Sequence, residues 1–300
     1  MKRWMALVCV LCCLMGMARA ENGSWNHEAW YQVTDALAGD EANPVPAEYR
    51  IAVKQNELRS PEADKAESDW ANILLLSTDS PEGEPNYGRT DAMLVCRVNM
   101  KTGNIYLLSL PQDAMAQPAQ LPESVALRFV NCFGGPLLTA KTVNEALGLH
   151  INRYCAVRMD SFISIVDALG GVEIDLSEDE AQALGLSAGT ASLNGTQALE
   201  YVKLRRGGTG TERARTLLQA IVAQTLRGNS INGVLTLMNL LLPAVNTNLT
   251  LDDLINLAFA VFAQETPGRF ETKGLSVEEG EALNAELAAE CRAFLYPDGE

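Results

Sequence analysis

Apolar and polar positions divide this 300-residue chain into two regimes. Residues 21–68 are polar and acidic, punctuated by Pro44, Pro46 and Pro61, and predict a tether with peripheral elements. From Ile73 onward, short apolar runs alternate with stretches of helical spacing. Residues 73–76 (Ile-Leu-Leu-Leu) form a continuous apolar run, as in a strand buried on both faces. A turn-rich stretch follows to Arg89. Residues 93–98 and 105–110 are strand-like, and the segment 99–104 between them predicts a hairpin turn with Gly103 free to take positive φ. Residues 139–147 predict a helix that stops at Gly148. A strand over 154–159 and a helix over 161–169, closed by Gly170-Gly171, come next. Residues 172–176 alternate apolar with acidic, as an edge strand does. Residues 197–202 begin a further helix or strand. Leu217, Leu218, Ile221, Val222 and Leu226 recur at helical spacing and predict a helix over 211–227. The run 234–245 reads as a core helix, and Thr250-Leu-Asp-Asp253 and Ser276-Val-Glu-Glu279 are capping-box patterns that start two more. Strands alternating with helices predict a layered α/β domain.

Composition narrows the chemistry. Hydrophobic residues make up 47% and charged residues 20%, enough for a sizeable core. The net charge of −15 excludes a nucleic-acid binder held by phosphate contacts. His27 and His150 are the only histidines, which leaves little for a multi-histidine metal site or a serine–histidine triad. Catalysis must then rest on carboxylates, arginines or a metal ion. Cys96, Cys132, Cys155 and Cys291 have no C-x-x-C spacing and predict free thiols.

Residues 1–20 predict an export signal. Lys2 and Arg3 precede an uncharged apolar run over residues 4–17, and Ala18-Arg-Ala20 offers a small-residue cleavage site. The run is short of the ~20 residues that a spanning helix needs, which favours a cleaved signal over an uncleaved anchor. Either way, the rest of the chain is expected outside the cytoplasm, secreted or on the outer membrane face.

Two groups of residues carry candidate chemistry. Lys203, Arg205, Arg206, Arg213 and Arg215 form a basic island opposed only by Glu212, with Gly207-Gly-Thr-Gly210 between its halves. Arginine forks and backbone N–H groups of this kind grip oxyanions; a solvated basic helix start has the same look. The second group is Asp91 and Asp113. If the flanking strands are antiparallel neighbours, the start of one and the end of the next share a sheet edge, and the two carboxylates can approach. Mg²⁺ favours one or two carboxylates plus phosphate oxygens and water, although strand-end aspartates also serve as turn formers.

Several strings resemble the LytR-CpsA-Psr family. They are Leu74-Leu-Leu-Ser-Thr-Asp-Ser80, Arg89-Thr-Asp91, Leu107-Leu-Ser-Leu-Pro-Gln-Asp113, Val130-Asn-Cys-Phe-Gly-Gly135, Phe162-Ile-Ser-Ile-Val-Asp-Ala-Leu-Gly-Gly-Val172 and Leu193-Asn-Gly-Thr-Gln-Ala-Leu-Glu-Tyr-Val-Lys-Leu-Arg205. The likeness spans roughly residues 73–226. It implies a three-layer α-β-α fold with a mixed central sheet, here a domain over 70–230 followed by a C-terminal helical extension over 231–300. It implies a phosphotransferase that moves a glycan from a polyprenyl-pyrophosphate carrier to peptidoglycan at the membrane surface of Gram-positive bacteria, with Mg²⁺. By position, Asp91 and Asp113 match metal-binding aspartates, and Arg89 and Arg205 match pyrophosphate-contacting arginines. In the family's Asp-x-x-Arg-x-x-Arg-Gln pattern, Glu212 stands for the Asp, Arg215 for the first Arg, Leu218 for the second and Gln219 for the Gln. Gln112 and Lys203 also stand where the family has arginine. Arg206 and Arg213 lie in the same loop and are expected to compensate. Arg89, Arg205 and Arg215 are expected to act in catalysis. The lost guanidinium groups keep a second reading open: a non-catalytic binder or sensor of polyprenyl-pyrophosphate-linked intermediates.

Overall fold

The structure, a computed structural model, describes residues 27–37, 45–58, 68–80, 87–204, 213, 215–221, 245–262, 268–278 and 280–297. The predicted export signal and the run 234–244 lie outside the described residues.

A six-stranded mixed sheet forms the centre. Its strands are β1 (Trp70–Thr78), β2 (Thr90–Asn99), β3 (Ile105–Ser109), β6 (Arg153–Arg158), β9 (Val245–Thr247) and β10 (Phe270–Gly274), in the order β10-β3-β2-β1-β6-β9. β1, β2 and β3 are consecutive antiparallel neighbours, whereas β6 is parallel to β1 and β10 is parallel to β3. The β2–β3 turn forms as the sequence predicts. Asn99 Oδ1 accepts from the Lys101 and Thr102 amides (2.9 and 3.0 Å), and Gly103 has φ 70°.

One sheet face is covered by α1 (His27–Leu37), α2 (Leu127–Leu147) and α7 (Ala285–Leu295). Leu74, Leu76, Met93, Val95, Tyr106 and Leu108 interlock there with Trp30, Phe133, Leu138, Cys291 and Leu295. The opposite face presents Ala92, Leu94 and Leu107 to Leu218, which lies in the helical segment 215–221. A third cluster joins α3 (Met159–Ala168), α4 (Glu178–Leu184) and α5 (Gly195–Lys203) to the hairpin of β7 (Val172–Leu176) and β8 (Gly189–Leu193). A short ribbon of β4 (Met115–Ala116) and β5 (Val125–Ala126) leads into α2. Asp167, near the end of α3, accepts from the Gly195 amide at the start of α5 (2.7 Å) and so ties the two helices together.

Three sequence expectations need correction. Helix α2 begins at Leu127, not at Thr139, because Gly134 and Gly135 break it into two segments and Pro136 restarts it. No helix starts at Ser276; α7 begins at Ala285, where Asn284 Oδ1 accepts from the Leu287 amide (2.9 Å) and Glu281 takes the upstream Glu278 amide instead. Finally, the sheet crosses the boundary drawn at residue 230, because β9 and β10 supply both of its edges. The other predicted capping box does open a helix: α6 (Leu251–Phe262) starts with reciprocal Thr250–Asp253 bonds.

The end of the chain is fastened by cations. Arg97, 4% exposed, lies between the rings of Trp70 and Tyr296 at 4.0 and 3.9 Å and donates to Asn72 Oδ1 (2.8 Å). Arg292 donates to the Leu147 carbonyl (3.0 Å), closing the end of α2. Among the described residues, no helix is long and apolar enough to cross a membrane.

Candidate functional site

The β1–β2 junction builds the first half of the site. Pairing of Thr78 with Thr90 ends the ladder, so Asp79 emerges beside Arg89, and Asp91 follows on β2. The Asp79 amide donates to the Arg89 carbonyl (3.1 Å), and Arg89 Nε donates back to Asp79 Oδ2 (2.7 Å). Asp79 Oδ1 is buried and has no hydrogen-bond partner among the described residues. Burial raises the Asp91 pKa, the Asp79 charge raises it further, and Lys203, Arg89 and Arg128 pull it back. Two carboxylates and three cations therefore share one field.

Close backbone contact holds this junction. A Cβ on Gly88 would lie 2.3 Å from the Ser80 amide nitrogen, so only glycine fits. Asn131 Nδ2, buried in α2, donates to the Gly88 carbonyl (2.7 Å).

The second half comes from the exit of β3. The antiparallel β2–β3 ladder brings Asp91 and Asp113 to one sheet edge, as the spacing predicts. Asp113, however, forms an ion pair with Arg128 in the first turn of α2. The carboxylate whose charge acts on Asp91 is Asp79, just past the end of β1. Gln112 does not project as a free phosphate ligand. With its amide oriented to suit its surroundings, Nε2 donates to the Asp91 and Thr90 carbonyls (2.7 and 3.2 Å). The Arg128 amide donates to the Gln112 carbonyl (2.9 Å), and Thr90 Oγ1 donates to the Arg128 carbonyl (3.3 Å). The start of β2, the end of β3 and the start of α2 are thus one hydrogen-bonded unit.

The basic island separates into distinct fates. The Lys203 side chain, exposed at the end of α5, makes no hydrogen bond or ion pair among the described residues, yet its charge reaches Asp91. Arg205 and Arg206 lie outside the described residues. Arg213 is corrected: it is 2% exposed, pairs with Glu180 (3.2 Å), donates to the Leu204 carbonyl and stands over the Tyr201 ring. Its fork is spent on the α4–α5 cluster and is not offered to an anion. Arg215 lies against Gly274 at the end of β10, where a Cβ would sit 2.7 Å from Nη1. Its guanidinium has no ion pair among the described residues, and it stands at the strand-end side of the sheet where β3 also terminates. Gln219 is exposed, and Leu218 packs on the sheet.

Among the described residues, no group of three or more His, Cys, Asp or Glu side chains is placed to hold a metal ion. The four cysteines described are free, and burial pushes Cys96 and Cys132 up to about 12 and Cys155 and Cys291 up to about 11, so none is a nucleophile at neutral pH.

Residues 36–289, well over half of the chain, match the LytR_cpsA_psr family. The chain belongs to that family. Similar curated proteins include a polyisoprenyl-teichoic acid–peptidoglycan teichoic acid transferase (TagU) of Oceanobacillus iheyensis, 31% identical over 199 residues, which are 63% of this chain and 62% of that protein. A TagU of Bacillus licheniformis is 25% identical over 247 residues, 80% of this chain and 77% of that protein. The chain thus spans a little under two thirds of the first of these relatives. Among solved structures, TagT bound to LI-WTA superposes with a TM-score of 0.65 at 23% identity, covering 82% of this chain and 98% of that one. TagT (YwtF) with bound octaprenyl pyrophosphate lipid superposes with a TM-score of 0.63 at 23% identity, covering the same shares. The mixed sheet with helices on both faces is therefore the LytR_cpsA_psr fold, as the resemblance implied.

Sequence reasoning missed Asp79 as a partner of Asp91, although Asp79 lies inside one of the resembling strings. It also missed Arg128. No motif marks that residue; only the return of α2 to the β3 exit places it.

Proposed function

We propose that this protein transfers a teichoic-acid-like glycan from a polyprenyl-pyrophosphate carrier to peptidoglycan, outside the cytoplasm. One observation carries the reading: Asp79 and Asp91 share a sheet edge with Arg89, Arg128 and Lys203, at the end of the sheet where Arg215 also stands. Family membership and the names of the TagU relatives support the same reaction class. The apolar run near the start of the chain supports export to the membrane surface where such carriers reside.

The residues fit Mg²⁺. Asp79 Oδ1 is a buried oxygen without a hydrogen-bond partner among the described residues, and Asp91 is a desolvated carboxylate whose pKa burial and the Asp79 charge raise. Two carboxylates completed by phosphate oxygens and water suit this ion. We assign it to Asp91 and Asp79, with Asp113 held in its pair with Arg128. When bound, the ion would offset the charge that builds on the departing phosphate. The chain's own cations do the remainder. Lys203 and Arg215 are the available donors for pyrophosphate oxygens, with Arg205 and Arg206 expected in the same loop. Arg89, fixed through Nε by Asp79, stabilises charge in the transition state by its preset position. A wall-sugar hydroxyl attacks the glycan-bearing phosphorus, the P–O–P bond breaks, polyprenyl phosphate leaves and the hydroxyl proton passes to solvent.

One observation favours a second reading, a non-catalytic binder: Leu218 is apolar and packed on the sheet, and Arg213 is withdrawn into a buried pair. The test is release of polyprenyl phosphate from a lipid-linked teichoic acid precursor by the purified chain, with peptidoglycan, in Mg²⁺ or in chelator. Acceptor-dependent release that needs Mg²⁺ is expected. Tight lipid binding with no release would leave the binder; no binding at all would remove both.

A further inference from the structure

We infer that the Ser109 hydroxyl is a further contact of the pyrophosphate, holding one of its oxygens together with Arg215, a role that rests on the proposed function and adds a residue to that site. Ser109 is the last residue of β3. It stands opposite Leu94 of β2 in the antiparallel ladder and beside Gly274 of β10 in the parallel one. Residues paired in this way share a face of the sheet. Leu94 packs with Leu218 on the face toward the helical segment 215–221, so the Ser109 side chain and the open position over Gly274 point to that side as well. Arg215 lies there: a Cβ on Gly274 would sit 2.7 Å from its Nη1 and 3.6 Å from its Cζ. The guanidinium therefore rests over the glycine that neighbours Ser109. Asp91 stands three residues along β2 from Leu94, about 10 Å at the rise of a strand, so Ser109 belongs to the same end of the sheet as the carboxylates.

The hydroxyl has no work in the fold. Ser109 is 1% exposed, and its Oγ is buried with no hydrogen-bond partner among the described residues. The backbone holds the strand without it: the Ser109 carbonyl takes the Leu275 amide (3.0 Å). A buried hydroxyl that makes no bond is costly and rare. Arg215 likewise makes no hydrogen bond or ion pair among the described residues. Two donors thus stand side by side on one face without an acceptor. An oxyanion satisfies both at once, whereas a cation or an apolar group satisfies neither. Arg215 is half-buried and reaches Gly274 with the end of a flexible side chain, so it can shift with an incoming anion and open the hydroxyl beside it.

A hydroxyl kept for a ligand moves stability and affinity in opposite directions. Calorimetric titration of the full chain with inorganic pyrophosphate and with farnesyl pyrophosphate, both in chelator, reads affinity, and thermal unfolding without ligand reads stability. Ser109→Ala removes an unsatisfied buried group, so its unfolding temperature should equal or exceed that of wild type. Both ligands should nevertheless bind about tenfold more weakly, the loss of one hydrogen bond to a charged acceptor. Gly274→Ala drives the guanidinium from its place and leaves Ser109 intact; it should weaken both ligands by a similar factor in a folded chain. On that background Ser109→Ala should cost less than in wild type, because the two contacts serve one oxygen. Wild-type affinity in Ser109→Ala would overturn the inference, and so would a lower unfolding temperature, since the hydroxyl would then serve the fold. A loss confined to farnesyl pyrophosphate would overturn it by placing the hydroxyl against the lipid, and fully additive losses would do so by separating Ser109 from Arg215. A wild-type chain that binds neither ligand would instead refute the proposed function, and this role with it.

Discussion

Replacing Gly88 with alanine tests how tightly the carboxylate cluster is built. The added Cβ would lie 2.3 Å from Ser80 N, 2.6 Å from Ser80 Cα and 2.6 Å from Ser80 Oγ, against the 3.4 Å at which ordinary contact begins. Two of the three obstacles are backbone atoms, so no rotamer change relieves them. The β1 and β2 ends must part by about 1 Å, and a misplacement of that size at reacting groups costs about a hundredfold in rate. The Gly88 carbonyl would also move away from buried Asn131 Nδ2, now at 2.7 Å. Loss of that bond costs about 1–3 kcal/mol, because the amide has no water to turn to. Arg89 and Asp79 sit on either side of the strained contact, so their 2.7 Å bond and the field at Asp91 change together. Thermal unfolding and polyprenyl phosphate release are measured on the same preparation. A lower unfolding temperature with turnover reduced by two orders of magnitude is expected. Wild-type turnover in a folded Gly88→Ala protein would show that the close approach does not position the site.

Three further outcomes follow from the charges. The raised Asp91 pKa means that the folded state disfavours the ionised form, so this group detracts from stability as pH rises through its folded value; Asp91→Asn should raise the unfolding temperature at neutral pH in chelator while abolishing turnover, the gain fading once the pH falls below the ordinary aspartate range. Asp253 runs the other way: burial alone would raise it, but Arg153 and Thr250 together hold it down at about 2, so its contribution of about 2 kcal/mol is present above the ordinary aspartate pKa and lost as pH falls toward 2. Urea denaturation of wild type and Asp253→Asn should therefore differ at pH 6 and converge near pH 2. Arg213→Ala leaves the half-buried Glu180 without its cation and should cost about 1–3 kcal/mol, whereas Arg213→Met with Glu180→Gln, which keeps the bond from the Ser177 amide, should recover part of that stability and keep wild-type pyrophosphate affinity; lower affinity in the double variant would return Arg213 to the anion site.

The elements were legible where a local rule decides them. Gly103 and Asn99 specify the β2–β3 turn without outside help, and the alternation in 172–176 appears as a strand whose apolar side chains alone are buried. Thr250 and Asp253 signal the start of α6 in the same way. Legibility ended where packing overrides pattern. The Ser276 pattern has good capping chemistry, but the Leu275 amide bonds to the Ser109 carbonyl, which holds the segment to the sheet and moves the helix start to Asn284. The first turns of α2 were hidden because Gly134, Gly135 and Pro136 look like the end of structure rather than a break inside it. The site divides likewise. The shared edge of Asp91 and Asp113 follows from strand direction, a property readable from the hairpin. Which carboxylate meets which cation depends on a helix arriving from elsewhere in the chain, and no spacing encodes that.

Charge in this chain is sorted by burial more than by sequence position. Arg213 and Arg215 are two residues apart on one basic island, yet the first faces α4 and the second faces β10. Opposite sides of the same helical turn lead to different layers of the fold. Arg213 meets Glu180 and becomes structural, while Arg215 meets a glycine, which leaves room for a guanidinium and supplies no counter-ion. A substitution that enlarged Gly274 would therefore act on Arg215 alone, although Gly274 belongs to the C-terminal segment beyond the basic island. The C-terminal strand β10 thus borders Arg215 as well as completing the sheet. A domain boundary at residue 230, reasonable from the resembling strings, therefore cuts through the central sheet: the strand beside Arg215 lies on the far side of it.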